Sequence, residues 1–231
     1  MKKAQLTLED TIDRGTLHVR DANVKGVRAI CCGLSIDTRR RSTFENCTFT
    51  NIHSTKCSVG YPIFRNCTFA GSKGVLFAYG ALFLECRLQG VITGVSFALT
   101  PLTEHDSKVK FRILKENLEL AASAKFCIDV REATLPNVGF KDEALVSRVL
   151  FKRGQCVIYR GSELKPKLTG AFHSTSDRRL QSVLFPPLSD KDTLLLTSLY
   201  NSAPPARVDE IRSIVDPLGI EVLEEPLCGV N

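Results

Sequence analysis

The stretch "FENCTFTNIHSTKCSVGYPIFRNCTFAG", residues 44–71, decides how this chain is read. Phe44-Glu45-Asn46-Cys47-Thr48-Phe49 returns as Phe64-Arg65-Asn66-Cys67-Thr68-Phe69, twenty positions on. A third copy, Phe83-Leu84-Glu85-Cys86-Arg87-Leu88, follows nineteen positions after the second. A five-residue ruler set on Phe44 meets Phe49, Ser54, Val59, Phe64, Phe69 and Gly74. Two places before each later mark stand Cys47, Ile52, Cys57, Pro62, Cys67 and Ser72, mostly small or apolar. The residues between, such as Glu45, Asn46, Thr50, Asn51, Thr55, Lys56, Arg65 and Asn66, are polar. Two inward positions in every five is not the 3.6-residue period of a helix, nor the alternation of a long strand.

A short strand followed by a corner, repeated, satisfies this pattern. Four such faces use twenty residues and return the chain to a point above its start. The spacing then predicts three vertical stacks: Phe44, Phe64 and Phe83; Phe49, Phe69 and Leu88; Cys47, Cys67 and Cys86. Stacking like residues buries each against its neighbours above and below. The third copy comes one residue early, and Gly71, Gly74 and Gly80 supply the conformational freedom for a tighter corner.

Over residues 42–90 the pattern resembles the pentapeptide-repeat family. That resemblance implies a right-handed quadrilateral β-helix with Leu or Phe at the central position of each face and Cys two places before it. Ser54 and Gly74 depart from the central-position rule, which leaves a more irregular right-handed β-helix open. The flanks read the same way, as short strands between turns: "TLHVRDANVKGVRAICCGLSID", "GVITGVSFAL", "KVKFRILKENLEL" and "AKFCIDV". The expected fold is therefore mainly β. A right-handed β-helix of about 20 residues per coil occupies residues 15–132, with residues 1–14 as a cap or tail. A small α/β C-terminal domain follows over 133–231 and closes the open edge of the coil.

In that second half, "KDEALVSRVLFKRG" carries helical spacing with a Gly stop. "QCVIYRG", "KLTGAFHSTS", "RLQSVLFPP", "DTLLLTSLY" and "IEVLEE" read as strands, and "APPARVDEIRSIVDPLG" as a helix with proline at its start. Strands and helices at that spacing predict a compact α/β unit.

Composition narrows the function classes. Hydrophobic residues make up 43% and charged residues 24%, as in ordinary globular proteins. No apolar run reaches membrane-spanning length, and the opening "MKKAQLTLEDTIDRG" lacks the apolar core of a secretory signal. Nine cysteines, with no C-x-x-C among them, predict reduced thiols in a cytoplasmic protein rather than a disulfide framework. Four histidines without metal-ligand spacing predict no metal site, and no cofactor motif occurs. Asn46-Cys47-Thr48 and Asn66-Cys67-Thr68 match the glycosylation sequon, but the repeat accounts for both asparagines as outward or corner residues. The formal charge of +6 is uneven: residues 1–115 carry 17 Lys and Arg against 9 Asp and Glu, residues 116–231 carry 14 against 16. The basic half suits an acidic partner, protein or nucleic acid.

Few residues suggest chemistry. Arg39, Arg40, Arg41, Lys56, Arg65 and Arg87 are candidate partner-binding residues, a basic stripe without the interleaved aromatics that stack on bases. Glu45, Arg65 and Glu85 fall near register and read as cross-coil charge pairing. "YRG" followed by "FHSTS" is similar to the Arg and Ser-Thr-Ser motifs of ADP-ribosyltransferases. The resemblance implies that Arg160 holds a dinucleotide, Ser174 supports the pocket, and Glu210, Glu221 or Glu224 polarises the ribose. Only fourteen residues separate Arg160 from Ser174, too few for the helices that normally lie between those strands. His173-Ser174 with Asp177, and Glu104-His105-Asp106, offer triad residue types, but sequence neighbours rarely assemble a triad, and no Gly-x-Ser-x-Gly elbow occurs. No catalytic residue is assigned. The expected function is non-enzymatic binding of a macromolecular partner, most readily a protein, through the regular face or the α/β cap. A toxin-immunity protein and a viral or phage accessory protein both fit. Nucleic-acid association through the basic half and a divergent ADP-ribosyltransferase are the alternatives. Self-association through a coil end is a further expectation.

Overall fold

The computed structural model describes residues 6–9, 11–35, 40–101, 106–136, 138–153, 155–159, 195–198, 216, 219 and 221–228. In chain order, β1 (Leu6–Glu9) precedes a first rung of β2 (His18–Arg20), β3 (Asn23–Lys25), β4 (Val27–Ile30) and β5 (Gly33–Leu34). The second rung is β6 (Thr43–Glu45) and β7 (Thr48–Val59), and the third β8 (Ile63–Arg65) and β9 (Thr68–Tyr79). The fourth holds β10 (Leu82–Leu84), β11 (Cys86–Ile92), β12 (Val95–Ala98) and the helix α1 (Ser107–Ser123). Next come β13 (Ile128–Thr134), β14 (Gly139–Lys141), the short helix α2 (Glu143–Val146) and β15 (Val149–Leu150). The last described strands are β16 (Cys156–Tyr159), β17 (Leu195–Ser198) and β18 (Val222–Leu223).

The repeated motif stacks as its spacing requires. Strands β2, β6, β8 and β10 form one parallel sheet in which Val19, Phe44, Phe64 and Phe83 occupy one column. The Phe44 and Phe64 rings lie 5.0 Å apart and the Phe64 and Phe83 rings 4.9 Å apart, both stacked. Phe49 over Phe69 makes the neighbouring column at 5.0 Å, with Leu88 in register above. Rings of the two columns meet edge to face, Phe64 against Phe69 at 5.3 Å. Each such pair adds about 0.5–1.5 kcal/mol beyond simple burial. The cysteine column is buried beside them. Cys47 donates its thiol to the Glu45 carbonyl, Cys67 to the Arg65 and Phe44 carbonyls, and Cys86 to the Leu84 and Phe64 carbonyls. A thiol here fills a small inward space and satisfies the carbonyl of the rung before it.

The corners also repeat. Asp21, Asn46, Asn66 and Glu85 all have φ between 52° and 54°, and five residues on, Gly26, Asn51, Gly71 and Gly90 form a second left-handed column. Asn tolerates this region better than other non-glycine residues because its short polar side chain can bond locally, and Asn46 donates to Asp21 at 3.0 Å. The asparagines of both sequons are thus corner residues.

The architecture nevertheless differs from a regular pentapeptide-type β-helix capped by a separate domain. It is a mixed, mainly parallel β core with helices interleaved among the strands. The register intervals are uneven. Val19 pairs with Phe44 after twenty-five residues, Phe44 with Phe64 after twenty, Phe97 with Phe140 after forty-three, and Ile128 with Val149 after twenty-one. The β7–β9 ladder shifts register between Ser54 and Cys57, so the five-residue lattice fails where Ser54 and Gly74 replace large inward residues. A Cβ on Gly74 would lie 2.0 Å from the Ser54 carbonyl oxygen, so the rungs pinch together there.

No clean boundary separates a coil from a cap. The parallel sheet runs on through β13, β14 and β15, and β17, β16 and β18 then join the same sheet antiparallel. Phe140 stacks on Phe97 at 5.0 Å, which continues the aromatic core into this region. "KDEALVSRVLFKRG" is not one helix: α2 ends at Val146, and Val149 and Leu150, 0% and 3% exposed, are drawn into pairing with β13. The strands expected in "QCVIYRG", "DTLLLTSLY" and "IEVLEE" are present as β16, β17 and β18. The strands expected in "KLTGAFHSTS" and "RLQSVLFPP", and the helix expected over 204–215, lie outside the described residues.

The largest departure is α1. "KVKFRILKENLEL" alternates like a strand over Lys108–Ile113, yet it is helical. Asp106 caps the helix, accepting from the backbone of Lys108 at 2.8 Å and Val109 at 3.5 Å. Ile113, Asn117 and Ala121, four apart, form its buried face. The helix packs on β10. The outward neighbours of the phenylalanine column explain why. They run from Thr43 and Glu45 in β6, to Ile63 and Arg65 in β8, to Leu82 and Leu84 in β10. Leu82 and Leu84 are 0% and 3% exposed although their side chains leave the rung interior, because α1 covers them.

Candidate partner-binding surface

The six basic residues expected at a partner surface are placed differently from one another. Arg39 lies outside the described residues. Arg40 is exposed beside Gly15. Lys56 takes its place in β7. Arg41 is turned inward, its side chain 10% exposed. It donates from Nε to the Tyr61 carbonyl at 2.6 Å, pairs with Glu116 of α1 at 3.1 Å, and reaches the Gly80 carbonyl at 3.4 Å. Burial pulls its guanidinium below the ordinary arginine value, and the Glu116 carboxylate opposes that shift. Arg41 thus fastens the helix to the rungs.

Arg65 is exposed and lines a cavity of about 220 Å³ with Asn66, Leu84, Glu85, Ser123 and Ala124. It pairs in register with Glu45, which Arg20 holds at 2.9 Å. The expected Glu45–Arg65–Glu85 ladder is broken at its third member, because Leu84 stands above Arg65 and Glu85 occupies the corner column. Arg87 is exposed between Thr68 and Asp129 in the outward ladder of β9, β11 and β13. Burial alone would raise the Asp129 carboxyl. Two hydrogen bonds from Arg131, at 2.9 and 2.7 Å, together with its charge, outweigh that and hold it below the usual carboxylate value.

A second basic group escaped the sequence reading. Arg28 of β4 pairs in register with His53 of β7, and His53 with Lys73 of β9. All three side chains are exposed. Adjacent strands lie about 4.8 Å apart, so the three form a vertical column. Lys25, exposed at the end of β3, stands just before the Gly26 corner that leads to Arg28. Among the described residues, no ion pair involves Arg28, His53 or Lys73. Arg28 and Lys73 thus stand on either side of His53, two strand spacings apart.

Most of the residues with catalytic echoes fall in segments that the structure does not describe. Arg160, Ser174, Glu210, Glu104 and His105 lie outside the described residues. Asp106 is engaged as the α1 cap. Glu221 is exposed just before β18, and Glu224 pairs with Arg153 at 3.5 Å. Among the described residues, no group of His, Cys, Asp and Glu could hold a metal ion. Among the described residues, no helix is long and apolar enough to cross a membrane. Burial pushes the Cys86 thiol well above the ordinary value and Cys127 up to about 12, whereas hydrogen bonding from the Cys86 thiol and from the backbone lowers Cys67 to about 7.

No family model, no curated protein and no solved structure matches this chain significantly.

Proposed function

We propose that this protein acts by binding, and that its outward rung face engages an acidic surface of a partner protein. The observation that carries this reading is the Arg28–His53–Lys73 column. Three exposed basic side chains stand on three adjacent strands, and none of them makes an ion pair among the described residues. Such an arrangement is open to an external acidic group docking against it. The rigid, in-register backbone beneath holds the charges at fixed spacing, so little ordering entropy is lost on binding. No Phe, Tyr or Trp stands in the column, which favours charge pairing with carboxylates over base stacking.

The test places a photo-crosslinking phenylalanine analogue at position 53 of the full chain, expressed in its native host. The expected result is a protein adduct whose crosslinked segment is acidic, and which disappears in the Arg28→Glu/Lys73→Glu double variant while the fold is retained. A nucleic-acid adduct, or a protein adduct that survives the double variant, overturns the proposal.

A further inference from the structure

A second surface, remote in sequence from the basic column, points to self-association. The inner face of α1 is fully engaged through Ile113, Asn117 and Ala121. Its outer face keeps Phe111 69% exposed and Leu118 39% exposed. Seven residues apart, these two side chains share one stripe of the helix, with Lys115 between them. The charges along the helix are segregated. Lys108, Lys110, Arg112 and Lys115 occupy its first half; of the acids in its second, Glu116 is held by Arg41, and Glu119 pairs with Lys115 at 3.9 Å.

We propose that α1 forms an antiparallel, two-fold pair with α1 of a second copy of this chain. A two-fold axis centred between Leu114 and Lys115 sets Phe111 of each copy against Leu118 of the other. The same operation brings Glu119 of each copy between Lys108 and Arg112 of its mate, along the flank of the seam. The same axis sets Lys115 of each copy beside its symmetry mate, so the seam rests on the Phe111–Leu118 contacts and on Glu119 reaching Lys108 and Arg112, once at each end as an isologous interface allows. Those reciprocal charges at the two ends select a second copy as the occupant. A seventeen-residue helix is about 26 Å long, so the pair would sit at the small end of stable interfaces.

Sedimentation velocity on the full chain from about 1 to 200 μM tests this. The wild type should move from the 25.5 kDa monomer toward twice that mass as concentration rises. Phe111→Glu should remain monomeric at every concentration with an unchanged melting temperature. Glu119→Lys alone and Lys108→Glu/Arg112→Glu alone should each weaken the dimer at least tenfold. Mixing those two variants should restore it, because the mixed pair regains opposite charges at both ends of the seam. A monomeric wild type throughout, a Phe111→Glu variant that dimerises like wild type, or no recovery on mixing would each overturn the proposal.

Discussion

Asn117, at the centre of α1, donates its side-chain amide to the carbonyl oxygens of both Gly80 at 3.0 Å and Leu99 at 2.8 Å. Gly80 ends the third rung and Leu99 follows β12 in the fourth. One buried side chain therefore closes two rung corners and fixes the helix over them, with Arg41 converging on the same Gly80 carbonyl. The helix enters as an insertion within the fourth rung, and this contact makes it part of the core. Asn117→Ala leaves the Leu99 carbonyl buried and unpaired, a loss of about 1–3 kcal/mol. Urea denaturation should show the unfolding free energy falling by that amount, with α1 amides exchanging faster than those of β7 and β9.

The phenylalanine column sets the scale for core substitutions. Phe64 stacks on Phe44 and Phe83 and meets Phe49 and Phe69 edge-on. Phe64→Ala should cost about 3–5 kcal/mol, and Phe64→Asp should abolish folding because it buries an unpaired charge. Thr50, half-buried on the outward side of β7 between Lys25 and Ala70, should accept aspartate with little change. Circular dichroism melts of the three variants separate these outcomes.

Glu85 is the member of its corner column least suited to the conformation it holds. Its φ of 54° matches those of Asn46 and Asn66 below it, but glutamate lacks the short amide that eases the left-handed region. Glu85→Asn should stabilise the protein by about 0.5–1 kcal/mol, read as a rise in melting temperature. A fall would show that the carboxylate at the 220 Å³ cavity contributes more than the strain it causes.

Asp13 ties the first rung to the second. Its carboxylate accepts from Ser42 Oγ at 2.6 Å, and from the backbone of Ser35 at 2.9 Å, Gly15 at 3.1 Å and Thr16 at 3.2 Å. Burial alone would raise this carboxyl, but the hydrogen bonds outweigh burial and hold it below its ordinary value. The folded value thus lies below the unfolded one, near 3.9. The stabilisation is fully present above about pH 4 and is lost as the pH falls through the folded value. Asp13→Asn should melt lower than wild type at pH 7, and the gap should close on acidification.

The sequence revealed the columns and concealed what covers them. The phenylalanine and cysteine stacks were legible because residues in register must be alike when each packs on the next. The helix was not, because Lys108 to Ile113 alternates perfectly and the cap at Asp106 stands out only once a helix is supposed. The signal that could have exposed it was the loss of polarity beside the column, from Thr43 and Glu45 to Leu82 and Leu84. A rung flank turns wholly apolar only if something covers it. The basic column was hidden by the uneven first interval. Counting twenty back from His53 reaches Gly33, whereas its true partner, Arg28, is twenty-five back. The antiparallel joining of β17, β16 and β18 to the same sheet depends on contacts between segments far apart in the chain, which local pattern does not encode.

The central claim is that the Arg28–His53–Lys73 column serves binding and not stability. The thermal melt of the Lys73→Glu variant tests it most directly, because it needs no knowledge of the partner. A melting temperature close to wild type is expected, since Lys73 is exposed and makes no ion pair among the described residues. A drop of several degrees, comparable to that of a core substitution, would show that Lys73 holds the fold together and would contradict the claim.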